Sequence, residues 1–100
     1  MKNYPVIFTV RAIRDLDAIY DYIAEDSPVA ADQIISRLEV FCNETLSAHP
    51  YIGLQVNQMQ QGLRSFTIGS YRILYSVPKQ SVMIKRIIHG SRDMKIIDIQ

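Results

Sequence analysis

The chain has one cysteine, no tryptophan, four glycines and four prolines in one hundred residues. Cys42 alone cannot form an intramolecular disulfide, which excludes a disulfide-stapled secreted scaffold. Its neighbours Val40 and Phe41 mark it as a small buried hydrophobe rather than a reactive thiol. No apolar run approaches the roughly 20 residues that span a bilayer, and no basic segment leads into an apolar stretch of signal-peptide length, so no membrane contact and a cytoplasmic location are expected. Sites that announce themselves by spacing are missing too: there is no CxxC pair, HExxH, Walker lysine loop, GxGxxG or GxSxG. His49 and His89 are the only histidines and stand far apart without a ligand-like pattern around them, so neither a metal nor another cofactor is expected.

What is present describes a globular domain. With 48% hydrophobic and 21% charged residues, the chain reads as one domain over 1–100. A domain of this size buries roughly 60–70% of its unfolded-chain surface, enough for a single shared core. The net charge of +1 conceals an asymmetry: residues 1–52 carry four basic and eight acidic side chains, residues 53–100 seven basic and two acidic. A surface that engages phosphate or an acidic partner is therefore expected on the C-terminal half.

Tyr4 to Thr9, rich in β-branched and aromatic residues, predicts a strand that Thr9 ends by capping the next element. From Val10 onward Ile13, Leu16, Ile19, Tyr20 and Ile23 recur at helical spacing, with Arg14, Asp15, Asp17 and Asp21 opposite. Asp26-Ser27-Pro28 ends this helix and starts a second, because serine caps well and proline suits the first helical position, where no N–H partner is needed. The second helix carries Ala31, Ile34, Ile35, Leu38, Phe41, Cys42 and Leu46 on one face and runs to the turn at His49-Pro50. A polar connection from Ile52-Gly53 through Gln55, Asn57, Gln58, Gln60 and Gln61 reaches Gly62. Leu63–Ile68, Tyr71–Val77 and Val82–His89 then predict a three-strand antiparallel meander, joined at Gly69-Ser70 and at Pro78-Lys79-Gln80-Ser81. The fold class is α+β: an N-terminal strand, a two-helix hairpin, then three further antiparallel strands. One sheet face should pack on the helices while the other interleaves Arg64, Arg72, Lys85 and Arg86 with apolar groups. The tail from Ser91 fits a short helical turn or a strand at an edge.

Asp15, Asp17, Asp21 and Glu25 could be read as paired carboxylates for acid/base work, but their positions place them on the solvated side of the first helix. More specific are three segments in order: Gly62-Leu63-Arg64-Ser65-Phe66; Gly69-Ser70-Tyr71-Arg72-Ile73-Leu74-Tyr75; and Arg86-Ile87-Ile88-His89-Gly90-Ser91-Arg92-Asp93. With Tyr22-Ile23-Ala24-Glu25-Asp26-Ser27-Pro28 upstream and His49-Pro50 before Gly53, they resemble the ParE branch of the RelE/ParE toxin superfamily over nearly the whole chain.

The resemblance implies the same fold and a toxin of a type II toxin–antitoxin pair. Two activities live on that fold: ParE-type toxins poison DNA gyrase, whereas RelE-type toxins cut messenger RNA in the ribosomal A site. RelE-like proteins supply arginines, lysines and a C-terminal tyrosine for cleavage. Here Arg72 and Arg92 match two of the arginines, but Gln55, Gln58, Gln60 and Gln61 stand where the lysines would be, and Ile97 or Asp98 where the tyrosine would be. A near-neutral chain is also poorly suited to neutralising many RNA phosphates. The expectation is a non-enzymatic toxin with no catalytic residue, directed at gyrase and held by a cognate antitoxin in a hetero-oligomer, without specific DNA binding of its own. The alternatives are a ribosome-dependent mRNA endonuclease and a degenerate antitoxin-binding module. Candidate target-binding residues are Arg64, Arg72, His89, Arg92 and Asp93; the last four could instead serve the fold, as Tyr71 and Tyr75 are expected to do by core packing.

Overall fold

The computed structural model describes residues 3–56 and 60–91. Strand β1 (Val6–Phe8) is followed by helices α1 (Val10–Ala24) and α2 (Pro28–Val40), then strands β2 (Leu54–Gln55), β3 (Arg64–Ile68), β4 (Tyr71–Ser76) and β5 (Val82–His89). The strands form one sheet in the order β1-β5-β4-β3-β2, antiparallel throughout except where β1 runs parallel to β5. The helix pair covers one face.

Each helix start is fixed by the residue that the sequence singled out. Thr9 Oγ1 accepts from Ala12 N at 3.1 Å and donates to Lys85 O at 3.1 Å, so the cap also ties α1 to β5. Ser27 Oγ accepts from Ala30 N at 3.1 Å, with Pro28 next in line. The first strand is shorter than the expected Tyr4–Thr9, because Pro5 has no N–H and the Tyr4 main chain pairs instead with Ser47 (Tyr4 N to Ser47 O 3.0 Å; Ser47 Oγ to Tyr4 O 2.6 Å). The buried stripe of α1 is also rotated from expectation. Ala12 and Leu16 are its buried members, whereas Ile13 is 48% exposed. Beyond α2 the helix widens into a π-helical turn over Phe41–Leu46, which stacks Phe41 on Phe66 at 4.8 Å and buries Cys42 and Leu46 completely. Burial, with Glu39 nearby, pushes the Cys42 thiol up to about 12.

The meander lies where alternation and turn residues placed it, but β2 is an addition: two residues of the polar connection pair with β3. A register shift at Leu74/Tyr75 lets Ile84 and Ile87 of β5 both face the helices. The main core joins Ala12, Leu16, Leu38, Cys42 and Leu46 to Ile73, Tyr75, Val82, Ile84 and Ile87. A second cluster on the outer face, Leu63, Leu74 and Ile88 beneath Val56, is equally buried. Strand β4 is thus closed on both faces, which explains its nearly unbroken apolar run. Among the described residues no helix is long and apolar enough to cross a membrane.

Candidate functional site

The positive C-terminal half resolves into side chains with different duties. Arg64, at the start of β3, donates from Nη1 to Gly53 O at 2.8 Å and to Tyr51 O at 3.2 Å, and its guanidinium lies 5.0 Å from the Tyr51 ring centre. Tyr75 completes this brace: Gly53 N donates to its phenol oxygen at 2.8 Å, and burial raises the phenol pKa although the Gly53 bond and the Arg64 charge oppose it. A Cβ at Gly53 would sit 2.6 Å from that oxygen and 3.0 Å from Ser65 O, so only glycine fits. Arg64 therefore serves the fold by pinning the His49–Gln55 loop.

Arg86 does not belong to the outer face where alternation placed it. Its Nε and Nη2 reach Asp15 Oδ2 and Oδ1 at 2.8 and 3.0 Å, and Asp15 Oδ2 also accepts from Ile87 N at 2.9 Å. The two side chains are only 7% and 15% exposed. Asp15 is accordingly turned to the sheet, contrary to the solvated position expected from helical periodicity; Asp17, Asp21 and Glu25 are exposed as expected. The pairing has a cause in the topology. Strand β1 stops beside Ile84, so α1 supplies the acceptor that β5 lacks at Ile87.

Among the described residues, Arg72 is the candidate cation that the fold leaves with an open donor. It lies in the middle of β4 between Thr67 and Ile88 on the outer face, and its Nε is buried with no hydrogen-bond partner among the described residues. Lys85 shares that face and donates to Gln60 Oε1 at 3.4 Å. His89 closes β5 on the helix side, edge-on to Tyr71 at 5.5 Å. Its Nδ1 accepts from Ser91 N at 3.2 Å and lies 2.8 Å from Ser91 Oγ; because the backbone N–H can only donate, the neutral ring carries its proton on Nε2. Asp15, Ala18, Ile19, Tyr22, Tyr71 and His89 line much of a groove of about 530 Å³ there. Arg72 and His89 thus stand on opposite faces, and Arg92 and Asp93 lie outside the described residues. Sequence reading missed the Asp15–Arg86 pair and the Tyr75–Gly53 bond.

The fold agrees with what known proteins show. The profile described as ParE toxin of type II toxin–antitoxin system, parDE, matches residues 6–94, and the chain belongs to that family. It is 30% identical over 90 residues to Toxin ParE3 of Caulobacter vibrioides, covering 89% of each chain. To Toxin RelE2 of the same organism it is 36% identical over 87 residues, covering 87% of this chain and 96% of the other. Among solved structures, the RelBE2 toxin–antitoxin complex of Mycobacterium tuberculosis contains a similar chain (TM-score 0.68, 29% identity, 87% and 98% covered). A chain of the chromosomal ParDE system of P. aeruginosa shares the fold at TM-score 0.67 and 22% identity, with 86% and 95% covered.

Proposed function

We propose that this type II toxin acts by binding DNA gyrase, not by catalysis, and that a cognate antitoxin neutralises it in the cytoplasm as a hetero-oligomer. The observation that carries the reading is the separation of groups across the sheet. Arg72, the cation with an open buried donor, is on the outer face, whereas His89 and Tyr71 are on the helix side, Tyr75 is buried there, and Lys85, which shares the face of Arg72, is engaged by Gln60. Cleavage of RNA needs a cation that holds the scissile phosphate and, on the same side, a group that moves the proton of the neighbouring 2′-hydroxyl. A binding toxin needs only the first, to meet a carboxylate or phosphate of its target. Arg72 is the leading contact, with Arg92, Asp93 and His89 as further candidates; Arg64 is set aside because it braces the loop.

The antitoxin reading is supported by the family and by the solved relatives, which come from toxin–antitoxin complexes. A disordered segment that folds on the toxin is the expected form of recognition. The competing reading, a ribosome-dependent endonuclease, is favoured by the likeness to Toxin RelE2 and by Arg72 itself. The test mixes purified protein with gyrase, ATP and supercoiled plasmid, then denatures the mixture and looks for linear DNA. Linear product, lost in Arg72→Ala while the fold is kept, supports gyrase poisoning. No linear product at excess protein, with messenger cut on programmed ribosomes, would replace it with the endonuclease.

A further inference from the structure

The loop over residues 49–54 is held by more bonds than a turn alone would supply. Gly53 gives its N–H to the buried Tyr75 phenol at 2.8 Å, Arg64 holds the Gly53 and Tyr51 carbonyls, and Ile52 N donates to His49 O at 3.2 Å. Yet the side chains that this brace carries are turned to solvent: Tyr51 is 58% exposed, Ile52 44% and Leu54 78%. Beside them His49, Pro50, Tyr51 and Ile52 wall a shallow hollow of about 490 Å³. Exposed apolar side chains grouped in this way mark an interaction surface, and fixing them beforehand removes part of the ordering cost of binding.

The patch runs on into the face that carries Arg72. Leu54 stands opposite Ser65, Ser65 opposite Leu74, and Leu74 belongs to the outer cluster, so Leu54 shares the outer face. Arg72 lies two residues from Leu74 on that face, which puts it about 12 Å from Leu54, the rise of about eight residues of α-helix. The charge there has one sign. Residues 45–92 carry six basic side chains and no acidic one, while the exposed acids Asp17, Asp21, Asp32 and Glu39 belong to the helices, across the sheet. An acidic partner is therefore called for. Nucleic acid is the poorer fit, because it needs a row of cations: Arg64 and Arg86 are committed within the fold and Lys85 is engaged by Gln60.

We infer that the braced loop is the apolar anchor of the target-binding face, and that it takes an acidic amphipathic helix of the target protein. Apolar side chains of that helix cover Tyr51, Ile52 and Leu54, and a carboxylate about two turns further along meets Arg72. This rests on the reading of a toxin that acts by binding, and it names the kind of surface that the target presents.

The probe is an alanine-rich helical peptide with a leucine face and a glutamate about two turns away, compared with the same peptide carrying lysine in its place. Each is titrated into the isotope-labelled toxin and followed by the amide resonances of residues 51–54 and the Arg72 Nε resonance. The glutamate peptide shifts both sets and binds about tenfold more tightly than the lysine peptide, a preference that shrinks with added salt. In Ile52→Ser/Leu54→Ser, which alters only exposed side chains, its affinity falls about tenfold, and the same variant forms less linear DNA with gyrase. Equal binding of the two peptides, shifts confined to the helices, an affinity unchanged in the variant, or self-association through the loop in sedimentation would each overturn the inference. Tighter binding of an oligonucleotide at the same resonances would also overturn it, with nucleic acid in place of the helix. Gyrase poisoning that persists in full in the variant refutes the anchor alone. Absence of poisoning by the unsubstituted toxin refutes the gyrase reading alone and leaves the peptide result to decide the anchor.

Discussion

Replacing Asp15 with alanine removes one carboxylate that serves three donors, two on Arg86 and one on the Ile87 main chain. Both charges of the pair are well withdrawn from water, so screening does little to soften the loss. Removing one member of a buried pair typically costs about 3–5 kcal/mol, because the other charge stays behind in a poorly solvated place. Against a total of about 5–15 kcal/mol for a domain of this size, that is a large share. Urea denaturation followed by circular dichroism should show a midpoint shift of that size, and Tm should fall by at least about 12 °C. The double variant Asp15→Ala/Arg86→Met no longer strands a charge and should regain about 2 kcal/mol relative to Asp15→Ala, although the Ile87 N–H remains unanswered. A cost under about 1 kcal/mol for Asp15→Ala, the range of an exposed ion pair, would refute this account of how α1 is locked to β5.

Tyr75→Phe leaves the Gly53 N–H buried without its acceptor and should cost about 1–3 kcal/mol by the same urea assay. Gly53→Ala should cost at least as much, since its Cβ meets both the phenol and the Ser65 carbonyl. Cys42 should resist thiol reagents at pH 8 in the folded protein and react fully in urea. The same thiol makes stability depend on alkali. Its folded pKa is raised to about 12 from 9.0, so its contribution is complete below pH 9 and is lost as pH rises towards 12, at about 1.4 kcal/mol per pH unit. In the β4–β5 turn Lys79 and Gln80 both hold positive φ, 46° and 58°; Gln80→Gly should raise stability by about 0.5–1 kcal/mol in thermal melts.

Local chemistry was the legible part of this fold. Thr9, Ser27 and Pro28 announce helix starts through groups that act within three residues, and Gly69 marks its hairpin in the same way. The parallel docking of β1 on β5 was not legible, because its partners lie 76 residues apart and a strand edge carries no mark of its neighbour. The site divides similarly. Arg72 and His89 could be named from motif position, yet nothing in the order of residues reveals that a sheet separates them. Arg64 and Arg86 looked equivalent to Arg72. The loop carbonyls at Tyr51 and Gly53 and the carboxylate of Asp15 distinguish them, and those contacts depend on the register shift between β4 and β5 and on where β1 stops.

The joining of β1 to β5 has a consequence for synthesis. A nascent chain still short of Val82 has no partner for β1, no carbonyl at Lys85 for the Thr9 hydroxyl and no guanidinium at Arg86 for Asp15. Its helix hairpin lacks the strand on which α1 packs, and the emerging apolar run of β4 is covered on neither face. Non-local pairing of this kind delays folding until the distant segment is available. Interrupted translation products that end before β5 therefore lack the finished sheet that presents Arg72, and the cell meets an assembled toxin only after the ribosome has read past His89.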